Sequence, residues 1–155
     1  MYEESDVRRH RDDIGALNGK WRDGWFVVPQ QVTFRDLDSF GHVNNATYFI
    51  FFEWSRALLW FELMQSRDAK VINFILAHTE CDFRSQLGLE PIEILVRIGE
   101  MRRTSLEFEH EIRKVNGDIA AIGKAVAVLF DWSTQSKMTI SDELRRRVET
   151  CREGC

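Results

Sequence analysis

The sequence predicts an α+β fold in which a curved antiparallel sheet of about five strands wraps around one long central helix. Three observations lead to this prediction. Apolar residues from Tyr48 to Met64 cover most of a helical circumference. One strand-like segment precedes this run and four follow it, and an Asn-Gly turn joins the last two. A helix that is apolar on nearly all sides has to be enclosed, and a curved sheet can enclose it.

Composition and charge limit the class of protein. The chain has 155 residues, of which 44% are hydrophobic and 30% are charged, and this is typical of a single globular domain. Its formal net charge of −4 gives no overall positive field, so we predict no nucleic-acid partner. Three cysteines make a disulfide framework improbable, which favours a reducing, cytoplasmic location.

Neither a metal site nor a membrane segment is predicted. The four histidines have no ligand-like spacing to one another or to the cysteines. The apolar run from Tyr48 to Met64 is short for a membrane span and contains three charged residues. The first residues, MYEESDVRRHRDD, lack the apolar core of a signal peptide. We therefore expect residues 1–24 to be a polar N-terminal extension and residues 25–155 to be the folded domain.

The first half of the domain contains one strand, a polar turn and the helix. The segment Trp25 to Phe34 is rich in β-forming residues and predicts a strand, in which Pro29 indicates an edge or a bulge. The next residues, DLDSFGHVNNA, include the glycine and Asx residues of turns and helix caps. The apolar pattern then predicts a helix over Tyr48 to Gln65.

The second half contains four predicted strands and a short helix. The strand segments are NFILAHTECDFRSQL, PIEILVRIGEMRR, TSLEFEHEIRKV and DIAAIGKAVAVLFDW. Apolar residues, with His110, alternate with charged residues from Leu106 to Arg113, and the turn Asn116 to Asp118 predicts a hairpin. The charged tail opens with Ser141 as a candidate N-cap. Because such a sheet has unpaired edges and one open face, we expect at least a dimer that covers them.

Two stretches carry a resemblance to a known family. Arg35 to Arg56, RDLDSFGHVNNATYFIFFEWSR, has the order Asp-x-Asp, two residues, Gly-His-Val-Asn-Asn, then a tyrosine and a helix with Glu-x-x-Arg. Gly99 to Ile112, GEMRRTSLEFEHEI, has a basic pair and a serine at the bend between two strands. On these residues the chain resembles the hotdog-fold acyl-CoA thioesterases of the 4-hydroxybenzoyl-CoA thioesterase-like family.

The resemblance implies both a fold and a reaction. The fold is the hotdog fold, a sheet around one central helix, assembled as homodimers or homotetramers with active sites at the subunit interface. The reaction is hydrolysis of an acyl-CoA to a carboxylate and the free CoA thiol. Coenzyme A is then part of the substrate, and no separate cofactor is expected.

Asp38 occupies the position of the family's catalytic carboxylate. An ionised aspartate can act as a general base on water or attack the thioester carbonyl directly, and both roles stay open. Without the motif, an aspartate before a helix is more simply a cap of the turn. His42 and Asn45 are candidates for orienting the substrate or the water, although His42 can equally serve only to satisfy loop backbone groups. We expect Asp36 to be structural and to hydrogen-bond the loop.

The start of the helix is a second candidate for chemistry. The first N–H groups of a helix are unpaired and partially positive, which suits a developing oxyanion, and in the family a helix N-terminus polarises the thioester carbonyl. We predict the oxyanion donors among the backbone groups of Gly41, His42 and Val43, with the range extending to Asn45. Gly41 is expected to permit a close backbone approach or a positive φ angle.

Arg102 and Arg103 form the basic pair of the predicted sheet hairpins. Arginine suits bidentate phosphate recognition, and the family resemblance implies that this pair, with Ser105, binds the phosphates of coenzyme A. The alternative is a solvated hairpin tip. The run from Arg145 to Arg147 is expected to be the exposed face of the tail helix, and Glu53 and Arg56 to form a salt bridge on the central helix.

Two other functions remain open at this point. Hotdog enoyl-thioester hydratases and dehydratases share the fold, but the spacing from Asp38 to His42 is shorter than we expect for their motif. A non-catalytic acyl-thioester-binding protein is also compatible, because fold does not determine function. The acyl group, and the choice between coenzyme A and an acyl carrier protein, are not determined by these residues.

Overall fold

The computed structural model describes residues 19–154, which form a curved antiparallel sheet packed against one long helix. The predicted hotdog architecture is therefore confirmed. The described residues contain seven strands and two α-helices: β1 Lys20–Arg22, β2 Trp25–Gln31, α1 Asn45–Met64, β3 Phe74–Phe83, β4 Pro91–Met101, β5 Ser105–Lys114, β6 Ile119–Asp131, β7 Ser136–Lys137 and α2 Asp142–Gly154. Short 3-10 turns occupy Phe34–Asp36 and Ala69–Val71.

Strands β2 to β6 are the five predicted strands, in the predicted order along the chain. The strand order in the sheet is β1-β2-β4-β5-β6-β3, and β7 pairs with β6. Every pair of neighbouring strands is antiparallel. The short strands β1 and β7 were not predicted. β1 lies within the range 1–24 that we predicted as an extension, and Trp21 pairs with Phe26 of β2. Residues 1–18 of that predicted extension lie outside the described residues.

The first predicted strand ends earlier than expected, at Gln31 instead of Phe34. The chain leaves the sheet because Thr33 and Asp36 form a capping box around a 3-10 turn. Asp36 Oδ2 accepts hydrogen bonds from Thr33 N at 2.7 Å and from Thr33 Oγ1 at 3.0 Å. The structural role expected for Asp36 is thus confirmed, and this turn redirects the chain towards the start of α1.

The core lies between α1 and the inward face of the sheet. On β5 the residues Leu106, Phe108, His110 and Ile112 are buried, as the alternating pattern predicted. On β6 the inward positions are small, and a Cβ on Gly123 would lie 2.3 Å from Phe52 Cε2. Glycine is required there because the helix packs this closely on the strand.

The sheet covers only one side of α1, so the prediction that the helix is surrounded is wrong for the single chain. Ile50 and Trp54, one turn apart, are 61% and 47% exposed. Strand β3 at the edge of the sheet is also exposed along most of its length. One sheet can bury a wide stripe of a helix but not its whole circumference, which leaves an apolar helix face and an open sheet edge.

The interior contains an unexpected polar cluster, made of Ser55, Arg56 and His110. Arg56 is 4% exposed, its Nη1 has no hydrogen-bond partner among the described residues, and burial lowers its pKa. No ion pair with Glu53 forms, so the predicted salt bridge is wrong. His110 is 1% exposed, and its Nδ1 lies 3.2 Å from Ser55 Oγ.

The tail helix α2 packs on the end of the sheet and on α1. Leu144 N donates to Ser141 Oγ at 3.2 Å, so Ser141 is the predicted N-cap. Arg147 Nη1 donates to the carbonyl of Leu63 at 2.6 Å, and Arg152 donates to the carbonyl of Ile98. Arg147 thereby satisfies a carbonyl in the last turn of α1, so the prediction that Arg145 to Arg147 are only a solvated face is wrong. Within residues 19–154, neither helix combines the length and the apolar character needed to cross a bilayer.

Candidate active site

A tight loop presents Asp38 immediately before α1. Asp38 N donates to the carbonyl of His42 at 2.7 Å, and Gly41 N donates to the carbonyl of Asp38 at 3.1 Å. Gly41 has a φ of 78°, in the left-handed region, as expected for this glycine. An isolated bridge between Leu37 and Val43 closes the loop at its base. The loop is therefore held by its own backbone, and its geometry depends on Gly41.

The two carboxylate oxygens of Asp38 have different environments. Oδ1 accepts hydrogen bonds from Phe40 N at 2.9 Å and from His42 N at 3.3 Å. Oδ2 has no hydrogen-bond partner among residues 19–154. Asp38 thus caps the turn with one oxygen, as the simpler interpretation predicted. The same side chain keeps a second oxygen free for chemistry.

Asp38 lies in the wall of an open cleft of about 460 Å³. The cleft brings together three of the predicted residues in addition to Asp38, namely His42, Val43 and Asn45. The opposite wall comes from α1 and from the end of β3 and the residues after it: Tyr48, Phe83, Arg84, Ser85 and Gln86. Sequence reasoning missed this wall, because its only local signal is a polar run after a predicted strand, which is common in loops.

The predicted oxyanion donors need correction. In the structure Gly41 N donates to Asp38 O, His42 N donates to Asp38 Oδ1 and Val43 N donates to Leu87 O at 2.8 Å. These three N–H groups hold the loop in shape and are not available to a ligand in this conformation.

The N–H groups at the start of α1 leave one donor available. Asn44 is the N-cap, and its side-chain oxygen accepts from Ala46 N at 2.9 Å. The N–H of Asn44 donates to Asp36 O, also at 2.9 Å. The N–H of Asn45 has no acceptor among the described residues. Asn45 is therefore the available donor at the positive end of the helix, and it lines the cleft with Asp38.

The opposite wall adds an aromatic pair and a hydroxyl. The rings of Tyr48 and Phe83 meet edge to face with centroids 5.0 Å apart, and burial raises the pKa of Tyr48. Ser85 Oγ is buried and has no hydrogen-bond partner among the described residues. The cleft thus combines a carboxylate oxygen, a backbone N–H and a hydroxyl, each without a partner in the part of the chain that the structure describes. This set can orient and activate water beside a polarised carbonyl.

The second predicted site lies at the other end of the sheet. Arg102, Arg103 and Ser105 lie at the turn between β4 and β5, whereas the Asp38 cleft lies near Pro91, where β4 begins. At about 3.3 Å per residue, the ten steps from Pro91 to Met101 separate these ends by about 33 Å. One chain therefore does not bring the two predicted sites together.

The two arginines of the turn also differ from each other. Arg102 forms an ion pair with Glu100 at 3.2 Å and lies 4.0 Å from Glu107. The guanidinium of Arg103 is exposed and has no partner among the described residues. The positive charge that is free to meet an anion is therefore that of Arg103.

The described residues include no group of three or more His, Cys, Asp or Glu side chains that could hold a metal ion. Cys81, on the inward side of β3, is partly buried, and burial raises its pKa to about 11. A thiol in this state is a poor nucleophile at neutral pH.

Comparison with known proteins adds a family match to this geometry. Residues 32–148 match the Thioesterase-like superfamily, a range that includes the Asp38 loop, α1 and the turn between β4 and β5. Among curated proteins, YsmA of Bacillus subtilis (strain 168) is 26% identical over 126 residues, which are 80% of this chain and 86% of YsmA.

Solved structures share the fold. A thioesterase from Thermus thermophilus, in complex with coenzyme A and Zn, superposes with a TM-score of 0.74 at 29% identity, covering 83% of this chain and 94% of that one. A predicted thioesterase from Bacillus stearothermophilus gives a TM-score of 0.75 at 25% identity, with 81% and 94% covered.

Proposed function

The chain belongs to the thioesterase-like superfamily, and we propose that it hydrolyses an acyl-CoA to a free carboxylate and the CoA thiol. The observation that carries this proposal is the pairing, in one cleft, of the free carboxylate oxygen of Asp38 with the unpaired N–H of Asn45. A carboxylate can activate water or attack the thioester carbonyl, and a backbone N–H can stabilise the oxyanion that forms.

In the proposed reaction, the thioester carbonyl oxygen accepts a hydrogen bond from Asn45 N at the start of α1. As a general base, Asp38 Oδ2 takes a proton from water while the water oxygen attacks the carbonyl carbon. The tetrahedral intermediate then collapses, the C–S bond breaks, and the departing thiolate takes the proton. As a nucleophile, Asp38 would instead form a mixed anhydride with loss of the thiolate, and water would hydrolyse that anhydride.

Other cleft residues have supporting roles in this scheme. Ser85 Oγ, buried and without a partner among the described residues, is suited to hold the attacking water. His42 and the side chain of Asn45 line the same cleft, and we assign them to orienting the substrate or the water. Tyr48 and Phe83 provide apolar surface next to the reacting atoms.

Coenzyme A as the thiol carrier is supported by the solved structures. The Thermus thermophilus thioesterase, 29% identical to this chain, contains coenzyme A. The free guanidinium of Arg103, with Arg102 and Ser105 beside it, is suited to the CoA phosphates. In this assignment CoA enters as part of the substrate. A cytoplasmic location is part of the same proposal.

A complete site then requires a second copy of the chain, as a homodimer or as part of a homotetramer. The edge strand β3 ends at Phe83 beside the Asp38 cleft, and it begins at Phe74, which pairs with Leu129 near the 102–104 turn. If two β3 edges pair antiparallel about a two-fold axis, the Asp38 end of one copy meets the turn of the other. The pairing would also cover an exposed sheet edge.

The experiment is to measure products from a panel of short, long and aromatic acyl-CoAs together with a 2-enoyl-CoA. Free thiol and free carboxylate in equal amounts, released in proportion to the protein, would support the proposal, and the panel would identify the acyl group. A 3-hydroxyacyl-CoA formed from the 2-enoyl-CoA without thiol release would identify a hydratase instead. Binding of acyl-CoAs without any product would identify a non-catalytic binding protein.

A further inference from the structure

The turn between β4 and β5 is fixed by hydrogen bonds at each of its carbonyl oxygens. Arg145 Nη2 donates to the carbonyl of Arg102, and Ile140 N donates to the carbonyl of Arg103 at 2.9 Å. The carbonyl of Thr104 accepts a hydrogen bond from Leu129 N, and the carbonyl of Ser105 accepts one from Arg102 N. Two of the four donors therefore come from residues 140–145, where helix α2 begins.

This arrangement determines which charges the turn presents. The guanidinium of Arg102 is neutralised by Glu100, whereas that of Arg103 is exposed and without a partner among the described residues. The position of the Arg103 side chain depends on the backbone that Arg145 and Ile140 hold. In addition, the guanidinium of Arg145 covers a carbonyl oxygen whose partial negative charge would otherwise repel an approaching phosphate.

We propose that Arg145 is a positioning residue for recognition of the phosphates of coenzyme A. It anchors the 102–104 turn to α2, so that Arg103 is held in the geometry that meets a phosphate, and it adds a second positive charge beside the turn. The ligand chemistry is the phosphorylated nucleotide part of coenzyme A. This inference rests on the proposed function, because it concerns the same substrate.

The test measures binding of two ligands to the full chain by titration calorimetry, without turnover. Coenzyme A carries the phosphates and pantetheine lacks them. Arg145→Ala should weaken binding of coenzyme A about tenfold, because it removes a charge-assisted hydrogen bond, and should leave binding of pantetheine unchanged. Arg145→Lys, which keeps the charge and one donor, should recover part of the affinity.

Arg146→Ala is the matched control. Arg146 is the next residue of α2, is exposed, and its guanidinium has no partner among the described residues. Its removal changes the net charge by the same amount without releasing the turn, so coenzyme A should bind nearly as in the native chain. An equal loss in both variants would show a general charge effect and would overturn the proposal.

Three further outcomes would also overturn it. These are native-like affinity of Arg145→Ala for coenzyme A, equal weakening of coenzyme A and pantetheine, and a native chain that binds coenzyme A no more tightly than pantetheine. Because binding is measured without turnover, failure here is distinct from failure of the hydrolase proposal. Thiol release that persists while Arg145→Ala binds coenzyme A normally would leave hydrolysis intact and reject only this inference.

Discussion

The buried His110 makes the stability of the fold depend on pH near neutrality. Its imidazole is 1% exposed, is stacked on Phe52 with ring centroids 4.6 Å apart, and has no hydrogen-bond partner at Nε2 among the described residues. Burial first, and then the positive charge of Arg56, hold the pKa of His110 well below its ordinary value of 6.5. The folded chain therefore keeps this imidazole neutral at pH values where the unfolded chain binds a proton.

The sign and size of the effect follow from this difference. Only the unfolded state takes up the proton. The free energy of unfolding is therefore highest well above pH 6.5 and decreases as the pH falls through 6.5. Because the folded pKa is far lower, the free energy of unfolding should fall by roughly 1 kcal/mol between about pH 7.5 and pH 5.5 from this residue alone.

Urea denaturation followed by tryptophan fluorescence measures this loss. Urea titrations are run on the native chain and on His110→Leu at both pH values. The protein concentration is the same in all of them, because assembly of the chain would also affect its stability. The other histidines are present in both proteins, so their contributions cancel in the comparison. On acidification the native chain should lose roughly 1 kcal/mol more of its free energy of unfolding than the variant. Equal losses would show that His110 is not held neutral in the core of the folded chain.

Three further predictions concern the core and the cleft. Arg56→Met should raise the free energy of unfolding in urea by about 1–3 kcal/mol, because it removes a buried guanidinium whose Nη1 has no hydrogen-bond partner among the described residues. A decrease of similar size in the free energy of unfolding would show that the charge of Arg56 is paired. Gly123→Ala should lower it by about 1–3 kcal/mol, because the new Cβ overlaps the ring of Phe52, and an unchanged urea midpoint would contradict this packing. Ser85→Ala should lower kcat about tenfold with little change in KM or in the urea midpoint, because it removes the buried hydroxyl that we propose holds the attacking water. An unchanged kcat would remove Ser85 from the proposed mechanism.

Much of the fold follows from local patterns. The alternation on β5, the Asn-Gly turn and the Ser141 cap each depend on a few neighbouring residues, and all three are present as predicted. The order of one strand, one helix and four strands is likewise present. Strand β1 was missed because its three residues, Lys-Trp-Arg, have no strand pattern of their own and are strand only through pairing with β2.

The errors come from contacts between distant parts of the chain. Apolar composition indicated that α1 is buried but not that its Ile50 and Trp54 face lies away from the sheet of its own chain. The spacing of Glu53 and Arg56 predicted a salt bridge, yet Arg56 is buried and its positive charge lowers the pKa of His110, a residue 54 positions later. Likewise Arg147 and Arg152 lie on a charged helix, and only the fold brings them to the carbonyls of Leu63 and Ile98.

Several residues of the candidate site could be predicted from the sequence, but their hydrogen bonds could not. The motif around Asp38 is continuous in sequence, so Asp38, His42, Val43 and Asn45 can be named from the order of residues alone, and they line one cleft. Hydrogen bonds decide which backbone N–H groups are free, and a sequence does not show them. In the structure the N–H groups of Gly41, His42 and Val43 have acceptors within the chain, and within the predicted range the N–H of Asn45 has none among the described residues.

The proposed role of Asp38 in thioester hydrolysis can be tested by comparing the native chain with Asp38→Asn. Thiol release by the native chain and by Asp38→Asn is measured on the best acyl-CoA of the panel, with far-UV circular dichroism and the urea midpoint recorded for both. An amide keeps a hydrogen-bond acceptor for Phe40 N and His42 N but is neither a base nor a nucleophile. We predict that kcat falls at least about a hundredfold with the fold intact. Native-like turnover by Asp38→Asn would contradict the mechanism.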